Sequence, residues 1–224
     1  MIYPLIAFML TAAGTTTCFH PSMAGTPWMW LAFGVSQAPL AVIALRNMQR
    51  DGELRDLLQP RWGDISMGMG SALLLLAASL GMRAMVAPDG SPRQAWLFRA
   101  YLQAGDPNLL QAHWPVVAAA IIALAFITEL AWRGLVLPSV EARWGSRRAW
   151  LLVGVGYGLA FVPGAWWLRD AAGWNMLIPF AASAGGLAWS FLAVRTRRLV
   201  PSMMSHAVFL WFVVVQFRVV SLGR

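Results

Sequence analysis

The sequence predicts an all-α fold, a polytopic transmembrane helix bundle of about seven spans. Three observations carry that expectation. The residues are 59% hydrophobic and only 12% charged, whereas soluble chains average about 25% charged. The apolar residues gather in runs close to the ~20 residues a helix needs to cross the hydrocarbon core. Arginine concentrates in alternate connections between these runs, as the positive-inside rule requires.

The first run, 2–19, lacks the basic leading segment of a secretory signal and reads as a first span. The second is 27–45, followed by a connection carrying Arg46, Arg50, Arg55 and Arg61. Leu54, Leu57 and Leu58 share one helical face there, which predicts a short helix resting on the headgroups. The third run is 65–87. Beyond it Pro92 suits a first helical position, and Leu97, Phe98, Tyr101 and Leu102 form a second interfacial stripe. The fourth run is 113–137, followed by Arg143, Arg147 and Arg148. The fifth is 149–168, the sixth 174–194 and the seventh 200–218, with Arg195, Arg197 and Arg198 between the last two. An eighth helix would need a connecting segment that dips into the membrane.

This alternation predicts a multi-pass protein with a cytoplasmic N-terminus and a C-terminus across the membrane, periplasmic in a bacterium. All seventeen basic residues are arginine, which suits a GC-rich bacterial genome and hence a bacterial inner membrane. The net charge of +8 lies in these connections and does not indicate nucleic acid. The lipid bilayer is the partner the composition demands. The lone Cys18 excludes an intrachain disulfide and a cysteine metal cluster. Most of the thirteen tryptophans, Trp28, Trp114, Trp150 and Trp174 among them, fall near span ends as an aromatic belt. Gly154-x-x-x-Gly158 and the small residues from Ala182 to Gly186 are devices for close helix packing. The chain divides into N-terminal spans and loops, 1–112, and a core, 113–218, within one continuous bundle.

Within the fourth run, Glu129 and Arg133 stand four residues apart among Val, Ala, Ile, Leu and Phe. A charge at membrane depth costs roughly 2.5–3.5 kcal/mol even on lenient insertion scales, so the pair needs a reason to be there. One reason is an internal ion pair that fixes helix register. Another emerges when three stretches are taken together: Thr128-Glu129-Leu130-Ala131-Trp132-Arg133-Gly134, Tyr157-Gly158-Leu159-Ala160-Phe161, and Ser205-His206-Ala207 leading to Leu210.

Their order and spacing resemble the CPBP family of intramembrane endopeptidases, which includes the CAAX prenyl proteases of the Rce1 type and bacteriocin-processing proteins. That family carries Glu-Glu-x-x-x-Arg, Phe-x-x-x-His and His-x-x-x-Asn or Asp on membrane helices. Its first glutamate and its histidines activate a water for attack on the scissile carbonyl. On these positions the chain keeps Glu129 as the second glutamate, Arg133 as the arginine and His206 as the third-motif histidine. Thr128 stands for the first glutamate, Tyr157 for the phenylalanine, Phe161 for the second-motif histidine and Leu210 for the asparagine.

Threonine is a poor base, and Phe161 and Leu210 neither ligate a metal nor hold a water. A zinc site needs three protein ligands and a water. His113 lies about 24 Å before Glu129 along a helix, and His20 follows the first span, so no metal or other cofactor is expected. Two functional readings follow from the resemblance. In one, the protein is a catalytically degenerate relative that binds a membrane-protein substrate or partner. In the other, Glu129 and His206, helped by Tyr157 or Thr128, form a diverged endopeptidase site that processes membrane-anchored proteins or peptides. Tyr157 and Thr128 also suit plain packing roles, and His206 a helix-to-helix hydrogen bond.

Overall fold

The computed structural model describes residues 2–216, and every regular element among them is helical. The elements are α1 (Ile2–Cys18), α2 (Pro27–Arg50), α3 (Leu54–Leu58), α4 (Asp64–Val86), α5 (Gln94–Ala104), α6 (Pro107–Ala112) and α7 (Trp114–Glu129). A π-helical turn, Leu130–Val136, joins α7 directly to α8 (Leu137–Trp144). Then come α9 (Ser146–Leu159), α10 (Val162–Ala165), α11 (Leu177–Thr196) and α12 (Val200–Trp211), the last running on as a π-helical segment, Phe212–Gln216.

Five of these helices are long and apolar enough to cross a membrane: Pro27–Arg50, Asp64–Val86, Trp114–Trp144, Ser146–Ala165 and Leu177–Thr196. Two further apolar helices, Ile2–Cys18 and Val200–Gln216, are shorter. The end of the run expected at 200–218, and the C-terminus itself, lie outside the described residues. The fourth predicted run continues seven residues further than its hydropathy indicates, because Pro138 falls in the first turn of α8, where it is tolerated, and the helix ends only at Gly145, whose φ is 72°. Glu141 and Arg143 therefore sit on a helix and not in a loop.

Small residues decide how α9 meets α11. A Cβ on Gly154 would stand 2.7 Å from the Leu187 Cα, one on Gly158 2.7 Å from the Ser183 Cα, and one on Gly186 2.6 Å from the Gly154 carbonyl oxygen. The neighbours are backbone, so they cannot swing aside. Gly158→Ala is expected to cost about 1–3 kcal/mol through overpacking, measured as a lowered melting midpoint in detergent. An unchanged midpoint would mean that the two helices can part freely.

The three arginine-rich connections meet on one face of the bundle. Leu199 donates its amide to the Leu57 carbonyl at 3.1 Å, and Arg197 pairs with Glu141 at 2.7 Å. Asp64, at the start of α4, is only 1% exposed. It pairs with Arg198 and accepts the Arg61 amide, so its burial is compensated. On this face α3 is pinned beneath the bundle, with Leu54, Leu57 and Leu58 packed against the core, where the sequence suggested a helix lying free on the headgroups.

The opposite face is closed by α5. The Gln103 amide donates to the Cys18 carbonyl at 2.6 Å, the Asn175 amide to the Trp96 carbonyl at 2.8 Å, and Arg99 pairs with Asp170 at 3.1 Å. The Ala171 amide and Arg99 together hold the Asp170 carboxyl below the usual carboxylate range. The expected apolar stripe of α5 is split: Phe98 and Leu102 face outward, while Leu97 and Tyr101 turn into a cavity. α5 roofs that cavity, and its contacts to α1 and α11 hold it there.

Candidate functional site

The motif positions converge where α7, α9, α11 and α12 pack around the π-helical turn. Glu129 is the last residue of α7, and Arg133 lies inside the turn that follows. π-helical turns widen a helix locally and concentrate at functional sites. Arg133 Nη1 donates to Glu129 Oε1 at 3.1 Å, and both side chains are fully buried. The guanidinium also donates through Nη2 to the Gly186 carbonyl at 2.9 Å and through Nε to Ser190 Oγ at 3.2 Å. It lies over the rings of Tyr157 and Trp189, 5.0 and 5.5 Å from their centroids. Hydrogen bonds and aromatic faces thus occupy Arg133, and its contacts reach α7, α9 and α11.

The same carboxylate oxygen meets His206 on α12, with His206 Nδ1 2.9 Å from Glu129 Oε1. Position 129 lies about 100° around a helix from position 128, and that offset does not keep Glu129 from His206. The imidazole stacks on Trp189, centroids 3.7 Å apart at 15°. Trp189 in turn donates from Nε1 to Ser205 Oγ at 3.2 Å, and Ser205 bonds Ser71 of α4. Glu129 Oε2 is buried and has no geometric hydrogen-bond partner among the described residues.

Beside this cluster lies a cavity of about 320 Å³. Thr128, Tyr157, Phe161, His206 and Leu210 all line it, so the structure brings together five of the positions singled out in the sequence. Glu129 and Arg133 are not part of its wall. Phe161, which occupies the histidine position, belongs to an aromatic group with Tyr157, Phe33 and Phe19 at centroid distances of 5.1, 5.8 and 6.5 Å. Leu210 packs against the buried Ile121, Val214 and Val215. Tyr157 packs edge-on against Trp132 at 5.2 Å.

The donor set does not fit a metal. Only Glu129 and His206 approach each other, one short of a three-ligand zinc site, and Glu129 Oε1 already serves Arg133. Among the described residues no third His, Cys, Asp or Glu joins them. His113 is exposed, and His20 caps a short turn and packs on Trp167.

Sequence reasoning missed Trp189, Ser190 and the Thr11–Gln37 pair. Thr11 accepts the Trp132 indole N–H at 3.2 Å and is bonded to Gln37, so α1 and α2 brace the π-helical turn. The available signal was the four-residue spacing of Gly186 and Ser190 on α11, which puts both on the face toward Arg133.

Residues 110–212 match the family model described as type II CAAX prenyl endopeptidase Rce1-like. The match takes in all three motif stretches, and over these residues the chain is similar to that family. No curated protein and no solved structure matches the chain.

Proposed function

We propose that the protein is a catalytically degenerate member of this family, which holds the apolar part of a membrane-protein partner or substrate in the cavity and does not cut it. One observation carries the reading. Three positions at which the family places catalytic groups are Thr128, Phe161 and Leu210 on the cavity wall, two of them built into apolar clusters of this chain. Nothing at those positions generates a nucleophile from water. In the same reading α1 and Val200–Gln216 complete seven spans, and the arginine-rich face lies in the cytoplasm of a bacterial cell.

A second reading is favoured by the contact between Glu129 Oε1 and His206 Nδ1. A carboxylate at Nδ1 orients an imidazole and supports the charge it gains on taking a proton at Nε2. His206 borders the cavity, so it would act there as the base for water attack, with Thr128 or Tyr157 as helper.

Cellular protein N-termini distinguish the two. Wild type, a deletion, and the deletion carrying Glu129→Gln or His206→Ala at matched protein levels are compared. The degenerate reading expects no N-terminus that depends on Glu129 or His206. A set of N-termini present in wild type and lost from the deletion and both variants would install the dyad as a working site.

A further inference from the structure

A second cavity, of about 440 Å³, adjoins the first at the face opposite the arginine-rich connections. Arg83, Leu97 and Tyr101 line both, so the polar mouth lies directly against the space that reaches the motif positions. The mouth holds Arg83, Ser91 and Gln94. Its polar groups are poorly matched to one another. Ser91 Oγ is buried with no hydrogen-bond partner among the described residues. Arg83 reaches Asp89 at 3.4 Å, Gln94 Nε2 reaches the same carboxylate at 3.4 Å, and Gln94 Oε1 accepts the Gly90 amide at 3.3 Å. All three lie beyond the usual 2.7–3.2 Å range for N–H···O bonds. Asp89 is 83% exposed, so solvent screens its hold on Arg83.

The interior has the opposite character. It is walled by Phe33, Leu80, Leu124, Phe209 and Leu210 and reaches Thr128, roughly 20 Å along α7 from its Trp114 end. That depth exceeds one leaflet of a hydrocarbon core about 30 Å thick. The apolar walls suit a flexible hydrocarbon chain.

We infer that the two adjoining spaces act as one passage for one hydrocarbon chain of an anionic membrane lipid, its tail lying against Thr128, Phe161 and Leu210 and its headgroup at Arg83 and Ser91. The inference rests on reading the cavity as a holding site, and it adds a lipid chain to what that site can hold. Arg83 supplies a charge-assisted hydrogen bond to the head, and Ser91 Oγ gains the partner it lacks. Arg83 sits within one turn of the end of α4, where the membrane interface puts a lipid's own headgroup. The mouth is on the face away from Asp64 and Arg198, so the lipid comes from the leaflet opposite the arginine-rich side.

The test uses the full-length protein in neutral nanodiscs, titrated with a fluorescent long-chain fatty acid and with the corresponding uncharged fatty alcohol. Arg83→Gln is expected to weaken the fatty acid about tenfold, the factor that about 1.4 kcal/mol represents, and to leave the alcohol unchanged. Leu210→Trp, which narrows the interior, is expected to weaken both. If acid and alcohol bind alike and Arg83→Gln changes neither, the headgroup site is overturned while the holding cavity stands. If neither probe binds wild type with an unaltered melting midpoint, both the lipid and an open apolar holding cavity are rejected. Competition of the fatty acid by inorganic phosphate alone would show an anion site without a chain and would also overturn the inference.

Discussion

Arg133→Met is expected to destabilise the bundle by about 3–5 kcal/mol, the cost of stranding one partner of a buried ion pair. The variant leaves the Glu129 carboxylate buried with only His206 beside it. It also removes the donors that serve the Gly186 carbonyl and Ser190 Oγ, and the cation lying over Tyr157 and Trp189. Glu129→Gln/Arg133→Met removes both charges at similar volume and is expected to recover much of the loss, as neutral replacements of buried pairs often do. Melting in detergent, followed by tryptophan fluorescence, measures each. If Arg133→Met melts with wild type, the pair is not what locks α7 to α11. A double variant no better than Arg133→Met would place the cost in the lost guanidinium contacts and not in the stranded charge.

The helical character, the approximate position of each run and the Glu129–Arg133 pair were legible from spacing and hydropathy. So was the α9–α11 seam, because Gly154, Gly158 and Gly186 announce close packing wherever they fall at four-residue intervals. The sequence was silent on the burial of Asp64, since its partner Arg198 is distant in the chain and looks like one more interfacial arginine. It was equally silent on the division of labour at positions 128 and 129. Hydropathy does not say which of two adjacent residues faces a cavity, and here Thr128 does while Glu129 turns to Arg133 and His206. The role of α5 as a roof depends on Gln103 and Asn175 reaching backbone carbonyls of other elements, and no local pattern reports that.

Geometry gives the degenerate reading a constructive test. Thr128→Glu/Phe161→His/Leu210→Asn is expected to turn the cavity into a hydrolytic site, because all three positions already share its wall with His206. A positioned general base typically contributes about 10²–10⁴-fold, so cleavage of a membrane-anchored peptide should rise by that order over wild type. Phe161→His alone should give nothing, since it supplies no carboxylate and loosens the contacts to Phe19 and Phe33. The new glutamate would sit beside Glu129, whose charge Arg133 already balances, so the scaffold can accept a second carboxylate there. Release of the peptide fragment by the purified triple variant, scored alongside its binding and melting midpoint, is the measurement. Binding without hydrolysis in a well-folded triple variant would mean that the backbone, and not only the side chains, has departed from the catalytic shape. The protein would then be a holding device by construction, beyond recovery through three substitutions.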